Sequence, residues 1–145
     1  MDVMIICGSK NDLGIVEATE ELLNELGVSY SSETCSAHRN PAQLDAILRT
    51  TKAKVIIAIA GLSAALPGVC ASLTTKPVIG VPVDVQLSGL DALLSMMQMP
   101  SGVPVATVGI NNGRNAALLA AEMLAMHDKD LEHRLQDYRN RMKKK

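Results

Sequence analysis

The run Val55-Ile56-Ile57-Ala58-Ile59-Ala60 constrains the fold more than any other segment of this chain. A strand with one wet face alternates apolar and polar residues, and this run does not alternate. It is also short and rich in β-branched side chains. A short continuous apolar run of this kind is expected of a strand buried on both faces, as in a parallel sheet covered by helices on each side.

The rest of the sequence repeats that arrangement. Val3–Cys7 is an apolar run ending at Gly8. Asn11–Leu26 then reads as a helix, with Ile15, Leu22 and Leu26 near one face and Glu17, Glu20, Glu21 and Glu25 around the other. Gly27 stands where a C-terminal cap belongs. Val28–Thr34 reads as a second, weaker strand. Asn40-Pro41 starts a helix that runs to about Thr51, with a capping side chain followed by proline at the first helical position. After Val55–Ala60, the pattern predicts a short helix over Pro67–Leu73 and a strand over Pro77–Val83. Next come a helix over Ser88–Met97 with Ser88 as a weak cap, and a strand over Val103–Val108. Two helices close the chain: Asn112–Met126, rich in alanine, and Asp128–Lys145, capped by Asp128. The Lys143–Lys145 run reads as a frayed, solvated tail.

This β-α alternation implies a parallel sheet of about five strands with helices on both faces. The 145 residues suit a single domain spanning 1–145, without repeats or linkers. A chain of this length buries enough surface to need no staples. Three cysteines, Cys7, Cys35 and Cys70, are odd in number and widely spaced. That argues against a disulfide framework or a zinc site, and they read as small buried apolar residues. No cluster of His, Cys or acids has metal-ligand spacing.

Composition excludes several functions. Net charge is −1 and charged residues make up 20%, so no basic excess points to nucleic acid. Tyr30 and Tyr138 are the only aromatic residues besides the histidines, which leaves little to stack bases or a flavin on. No apolar run approaches the roughly 20 residues that a membrane span needs. The chain opens directly on a strand pattern, without a basic start or cleavage site, and is expected to be cytoplasmic.

In such a sheet, ligands bind at the carboxyl ends of the strands. The loops there are Gly8–Asn11, Ser36–Asn40, Ala60–Leu66, Asp84–Ser88 and Gly109–Arg114. Gly8-Ser9 opens a helix, where free N–H groups can hold an anion and a hydroxyl can help. Asp12 would repel phosphate and suits ribose hydroxyls instead. Ser36-Ala37-His38-Arg39 joins an imidazole, which titrates near neutral pH, to a guanidinium fork for phosphate or carboxylate. An ordinary turn or a solvated His-Arg pair would explain either loop alone. Ala60-Gly61-Leu62-Ser63-Ala64-Ala65-Leu66 is uncharged and built of small residues, so its amides can approach a ligand closely. It suits a neutral species such as carbon dioxide, or tight packing only. His127 and His133 read as surface residues.

Taken in order, several motifs resemble one family over essentially the whole chain. They are Gly8-Ser9-x-x-Asp12, Ser36-Ala37-His38-Arg39, Ala60-Gly61 through Leu66-Pro67-Gly68, Val81-Pro82-Val83, Gln98-Met99-Pro100-x-Gly102-Val103-Pro104-Val105-Ala106-Thr107 and Asn115–Ala120. The family is the catalytic subunit of phosphoribosylaminoimidazole carboxylase, whose class I members are N5-carboxyaminoimidazole ribonucleotide mutases. The resemblance implies a flavodoxin-like three-layer sandwich with a C-terminal helix. It also implies a homo-octamer with sites at subunit junctions, and a purine-biosynthesis enzyme needing no metal or other cofactor. By motif, His38 is the catalytic acid and base. The substrate-binding residues are Gly8, Ser9, Asp12, Ser36, Ala37, Arg39, Ala60, Gly61, Ser63 and Leu66. Within that set the resemblance gives Ser9 and Arg39 to the phosphate region, Asp12 to the ribose and the Ala60–Leu66 loop to the migrating carboxyl.

Class I members usually carry a histidine where this chain has Ala65. Class II members, which carboxylate aminoimidazole ribonucleotide directly, also lack it, but typically have lysine at Arg39 and serine at Pro67. Arg39 and Pro67 favour the mutase. Direct carboxylation with CO2, and a non-catalytic flavodoxin-like binding protein, are the alternatives.

Overall fold

The computed structural model describes residues 1–144. Five parallel strands, β1 (Val3–Cys7), β2 (Tyr30–Thr34), β3 (Val55–Ala60), β4 (Val78–Pro82) and β5 (Ala106–Thr107), form one sheet in the order β2-β1-β3-β4-β5. The helices between them are α1 (Leu13–Glu25), α2 (Pro41–Thr50), α3 (Leu66–Leu73) and α4 (Leu90–Met97). After β5 come α5 (Gly113–Ala125) and α6 (Lys129–Met142).

Period-two alternation within the buried strands divides the interior in two. Val3 and Ile5 of β1 and Val55, Ile57 and Ile59 of β3 pack with α1, α5 and α6 through Leu22, Leu23, Ala116, Ala120, Leu131 and Leu135. Met4, Ile6, Ile56, Ala58 and Ala60 face the other way, toward Leu44 and Leu48 of α2, Cys70 of α3 and Met96 of α4. Every residue of β3 is buried, as the apolar run requires. The expected α/β sandwich with a parallel sheet is therefore present, and Gly27 does end α1 in the left-handed region, at φ +65°.

Several boundaries differ from the sequence pattern. A short 3-10 turn over Lys10–Asp12 precedes α1, so the regular helix starts at Leu13 rather than Asn11. Val28 is spent on closing α1, its N–H donating to the Leu23 carbonyl at 2.9 Å, and β2 begins only at Tyr30. The Asn40 side chain does not cap α2; Pro41 at the first position pre-sets that turn instead. Asn112 and Asp128 do cap their helices, accepting from the N–H groups of Asn115 and Leu131. Ser88 is not a cap, because Leu87, Ser88 and Gly89 all take positive φ and α4 starts at Leu90. The strand expected over Val103–Val108 shortens to Ala106–Thr107. Pro104 has no N–H to give a ladder, and Val103 donates back to Pro100 in a turn. The final helix stops at Met142; Lys143 and Lys144 are exposed, and Lys145 lies outside the described residues.

Close approach of α1 and α5 depends on Gly113. A Cβ there would overlap Thr19 Oγ1 and lie 2.7 Å from the Ile15 carbonyl oxygen. Thr19 is itself fully buried, its hydroxyl donating to that same carbonyl at 2.7 Å. Gly113→Ala must therefore push two helices apart, and we expect a loss of about 2 kcal/mol, read as a lower urea midpoint at unchanged m-value.

Candidate active site

Because all five strands run the same way, the loops after β1, β2, β3 and β4 emerge at one edge of the sheet. Backbone pairing continues a step past the strands and fixes their relative heights. Gly8 N–H donates to the Ile59 carbonyl at 3.0 Å, Cys35 N–H to Cys7 at 2.9 Å, and Val83 N–H to Ala60 at 3.0 Å. Between these loops lies a cleft of about 460 Å³.

The first loop contributes Gly8, Ser9, Asn11 and Asp12 to the cleft. Ser9 caps the 3-10 turn, its Oγ accepting from Asn11 N–H at 3.2 Å. Asp12 is 4% exposed, and burial pushes its carboxyl above the ordinary range, against a smaller lowering by the backbone near Ser9.

The second loop contributes Ser36, Ala37, His38 and Arg39. Ser36 shapes it: its Oγ accepts from Arg39 N–H at 3.3 Å, and its carbonyl accepts from Asn40 N–H at 2.9 Å. Arg39 reaches back across the cleft, with Nη2 donating to the Gly8 carbonyl at 3.4 Å. The guanidinium therefore bridges the first two loops. His38 is exposed to the cleft and to solvent.

The third loop supplies Gly61, Leu62, Ser63 and Leu66, and no ionisable side chain. Ser63 takes φ 46°, and its carbonyl accepts from Ala65 N–H at 2.6 Å, which closes a tight turn into α3. Ala65 presents only a methyl at the start of that helix.

Of the eleven residues singled out in the sequence, the cleft gathers ten. Ala60 does not line it: it is 5% exposed and belongs to the core on the α2, α3 and α4 side of the sheet. Asn11, Leu62 and Val85 line the cleft and were not among the eleven. The first two lie inside motifs already quoted, and Val85 comes from the Asp84–Ser88 loop. A larger cleft of about 590 Å³ opens at the opposite edge, around Asp2, Lys54, His127 and Arg134. It holds none of the eleven.

Among the described residues, no group of three or more His, Cys, Asp or Glu is placed to hold a metal ion. Cys7, Cys35 and Cys70 are buried free thiols. Burial raises the Cys35 thiol and pushes that of Cys70 up to about 12, so neither is poised as a nucleophile. No helix among the described residues is long and apolar enough to cross a membrane.

The fold is that of the open parallel α/β class, and the cleft lies at the carboxyl edge of the sheet, where proteins of that class hold their ligands. The family model described as AIR carboxylase matches residues 2–145, and the chain belongs to that family. An N5-carboxyaminoimidazole ribonucleotide mutase from Methanocaldococcus jannaschii is 57% identical over 143 residues, covering 99% of this chain and 91% of the relative. A mutase of the same name from Pyrococcus abyssi is 48% identical, covering 98% and 84%. The crystal structure of Treponema denticola PurE superposes with a TM-score of 0.86 at 30% identity, covering 98% of this chain and 91% of that one.

Asp12 gives a sign that can be checked. Its carboxyl is raised in the folded state, so the folded chain holds its proton to higher pH than the unfolded one, and stability falls as pH climbs through that interval. Asp12→Asn removes the buried charge. Its urea midpoint should exceed the parent's at pH 7, with the gain vanishing below about pH 3, where Asp12 is neutral in the folded and the unfolded parent alike.

Proposed function

We infer that this chain is an N5-carboxyaminoimidazole ribonucleotide mutase of purine biosynthesis, converting its substrate to 4-carboxy-5-aminoimidazole ribonucleotide by moving one carboxyl group. The observation that carries the reading is one shared cleft: His38 and Arg39 open onto the same space as the Gly8-Ser9 turn and the uncharged third loop. The relatives' names supply the substrate, and their nearly full-length identity favours the mutase over direct carboxylation or a binding protein.

The chemistry follows from what each wall offers. Arg39 and the N–H groups beside Ser9 take the phosphate region, where a planar fork and a helix start both favour an anion. Asp12 accepts from ribose hydroxyls. The carbamate loses carbon dioxide as charged His38 gives a proton to the exocyclic nitrogen. Carbon dioxide, held against Gly61, Ser63 and Leu66, forms a bond to ring carbon C4. Neutral His38 then takes the C4 proton, which restores the aromatic ring and its own charge. No proton is gained or lost over the cycle. Holding the fragments together makes the second step effectively unimolecular. With Ala65 in the third loop, one imidazole serves both transfers.

Assembly and location fit the same picture. Leu87, Leu90 and Met97 are more than half exposed and lie on or just before α4. Such apolar exposure suits subunit contacts in a homo-octamer with sites at the junctions. Buried free thiols suit a reducing cytoplasm.

His38→Asn should lower turnover of the carbamate by about 10²–10⁴-fold while ribonucleotide binding survives in calorimetry; near-normal turnover removes His38 from the role. Arg39→Ala should raise KM by about tenfold or more with a smaller change in kcat, since it deletes a charged phosphate contact. An unchanged KM removes Arg39 from the phosphate region.

A further inference from the structure

We propose that Asn111, which lies outside the cleft, is a positioning residue for carboxyl transfer: it ties down the loop after β4 so that Val85 covers Gly61 and closes the apolar wall of the cleft. The proposal rests on the mutase reading above.

The loop after β4 loses its sheet partners at once. Val83 still donates to the Ala60 carbonyl, but Asp84 has no strand beside it. Its N–H donates instead to the side-chain Oδ1 of Asn111 at 2.9 Å. The N–H of Asn111 donates to the Pro82 carbonyl at 2.8 Å. One residue thus brackets Val83 from both sides, with its main chain on Pro82 and its side chain on Asp84. To do so it takes φ 59°, a region that asparagine tolerates better than most residues. Observed left-handed backbone outside glycine is a reason to ask what it serves.

Its neighbour holds the far end of the same loop. Gly89 sits so close to Ile110 that a Cβ would lie 2.7 Å from Ile110 Cγ2. Leu87 and Ser88 also take positive φ, so the loop turns back tightly onto the Ile110-Asn111 corner. What this double tether sets in place is Val85. Its Cγ2 would overlap any Cβ at residue 61, so only glycine allows the two to pack. Val85 lines the cleft with Gly61 and is 47% exposed.

An apolar side chain over bare backbone fits the fragment that the reaction must retain. After the N–C bond breaks, carbon dioxide is small, neutral and free to leave. If it bonds to C4, the C4 proton goes to His38 and product forms. If it leaves, the exocyclic nitrogen keeps the proton that His38 gave, aminoimidazole ribonucleotide is released, and His38 regains a proton from solvent. A fixed Val85 favours the first branch by blocking the exit, so the tether should act on the partition between branches more than on nucleotide binding.

Asn111→Gly keeps the left-handed backbone and removes the acceptor; Val85→Ala removes the wall. Each variant, the double variant and the parent are given the carbamate. Chromatography measures the ratio of 4-carboxy product to released aminoimidazole ribonucleotide, corrected for loss without enzyme. We expect Asn111→Gly to shift that ratio toward release by about tenfold, with KM changed by less than about twofold. Val85→Ala should do the same, and the double variant should be no worse than either single one, because both remove one wall. A parental ratio in Asn111→Gly, or additive effects in the double variant, overturns the assignment and leaves the mutase reading standing. A parent chain that leaves the carbamate unconverted overturns both.

Discussion

Burial of β3 on both faces is the constraint from which the remaining structure follows. Val55, Ile57 and Ile59 need one apolar layer, and Ile56, Ala58 and Ala60 need a second. Helices can supply both layers only if each strand is followed by a crossover, which makes the neighbouring strands parallel. Parallel strands put the loops after β1, β2, β3 and β4 at one edge, and the cleft lies there. Small residues then set how closely the layers approach. Gly80 in β4 is an example: a Cβ there would lie 3.0 Å from both Met96 Sδ and Val105 Cγ1. With no side chain at Gly80, Met96 of α4 and Pro67 of α3 pack directly on β4.

Where one local signal decides an element, the sequence was legible. β1 and β3 are set by apolar runs, the end of α1 by Gly27, and the starts of α5 and α6 by Asn112 and Asp128. Elements that depend on distant partners were read less well. Val28 has strand character, but the closing turn of α1 uses its N–H first. Residues 103–105 are apolar, but Pro104 and the turn at Pro100 leave only Ala106 and Thr107 to pair with Ile79 and Gly80. Ser88 looks like a cap in isolation, yet it lies in a left-handed stretch that enters α4 through Gly89, where a Cβ would meet the Ile110 side chain. The site followed the same division. Ten of its residues sit in loops that a parallel sheet must bring together, whereas Ala60 turns inward because strand alternation reaches one residue further than the motif suggests. Val85 lies in the Asp84–Ser88 loop that a parallel sheet brings to this edge, but only its packing on Gly61 singles it out.

On the proposed mechanism, the cleft separates its tasks by wall. Charge is confined to the first two loops, where Arg39 bridges toward Gly8 and Asp12 is buried at a cost to folding. The third loop and Val85 contribute only hydroxyl, methyl and backbone groups. A polar half that grips a phosphorylated sugar and an uncharged half that retains a small fragment are what an intramolecular carboxyl shift requires. A buried carboxylate that weakens the fold is an expected feature of a functional site.

That the imidazole after β2 moves both protons is tested most directly by a structure with 4-carboxy-5-aminoimidazole ribonucleotide bound. A His38 ring nitrogen is predicted within about 3.2 Å of C4 or the exocyclic nitrogen, with the phosphate on Arg39. A ring turned away from the heterocycle, with another titratable group in its place, would contradict it.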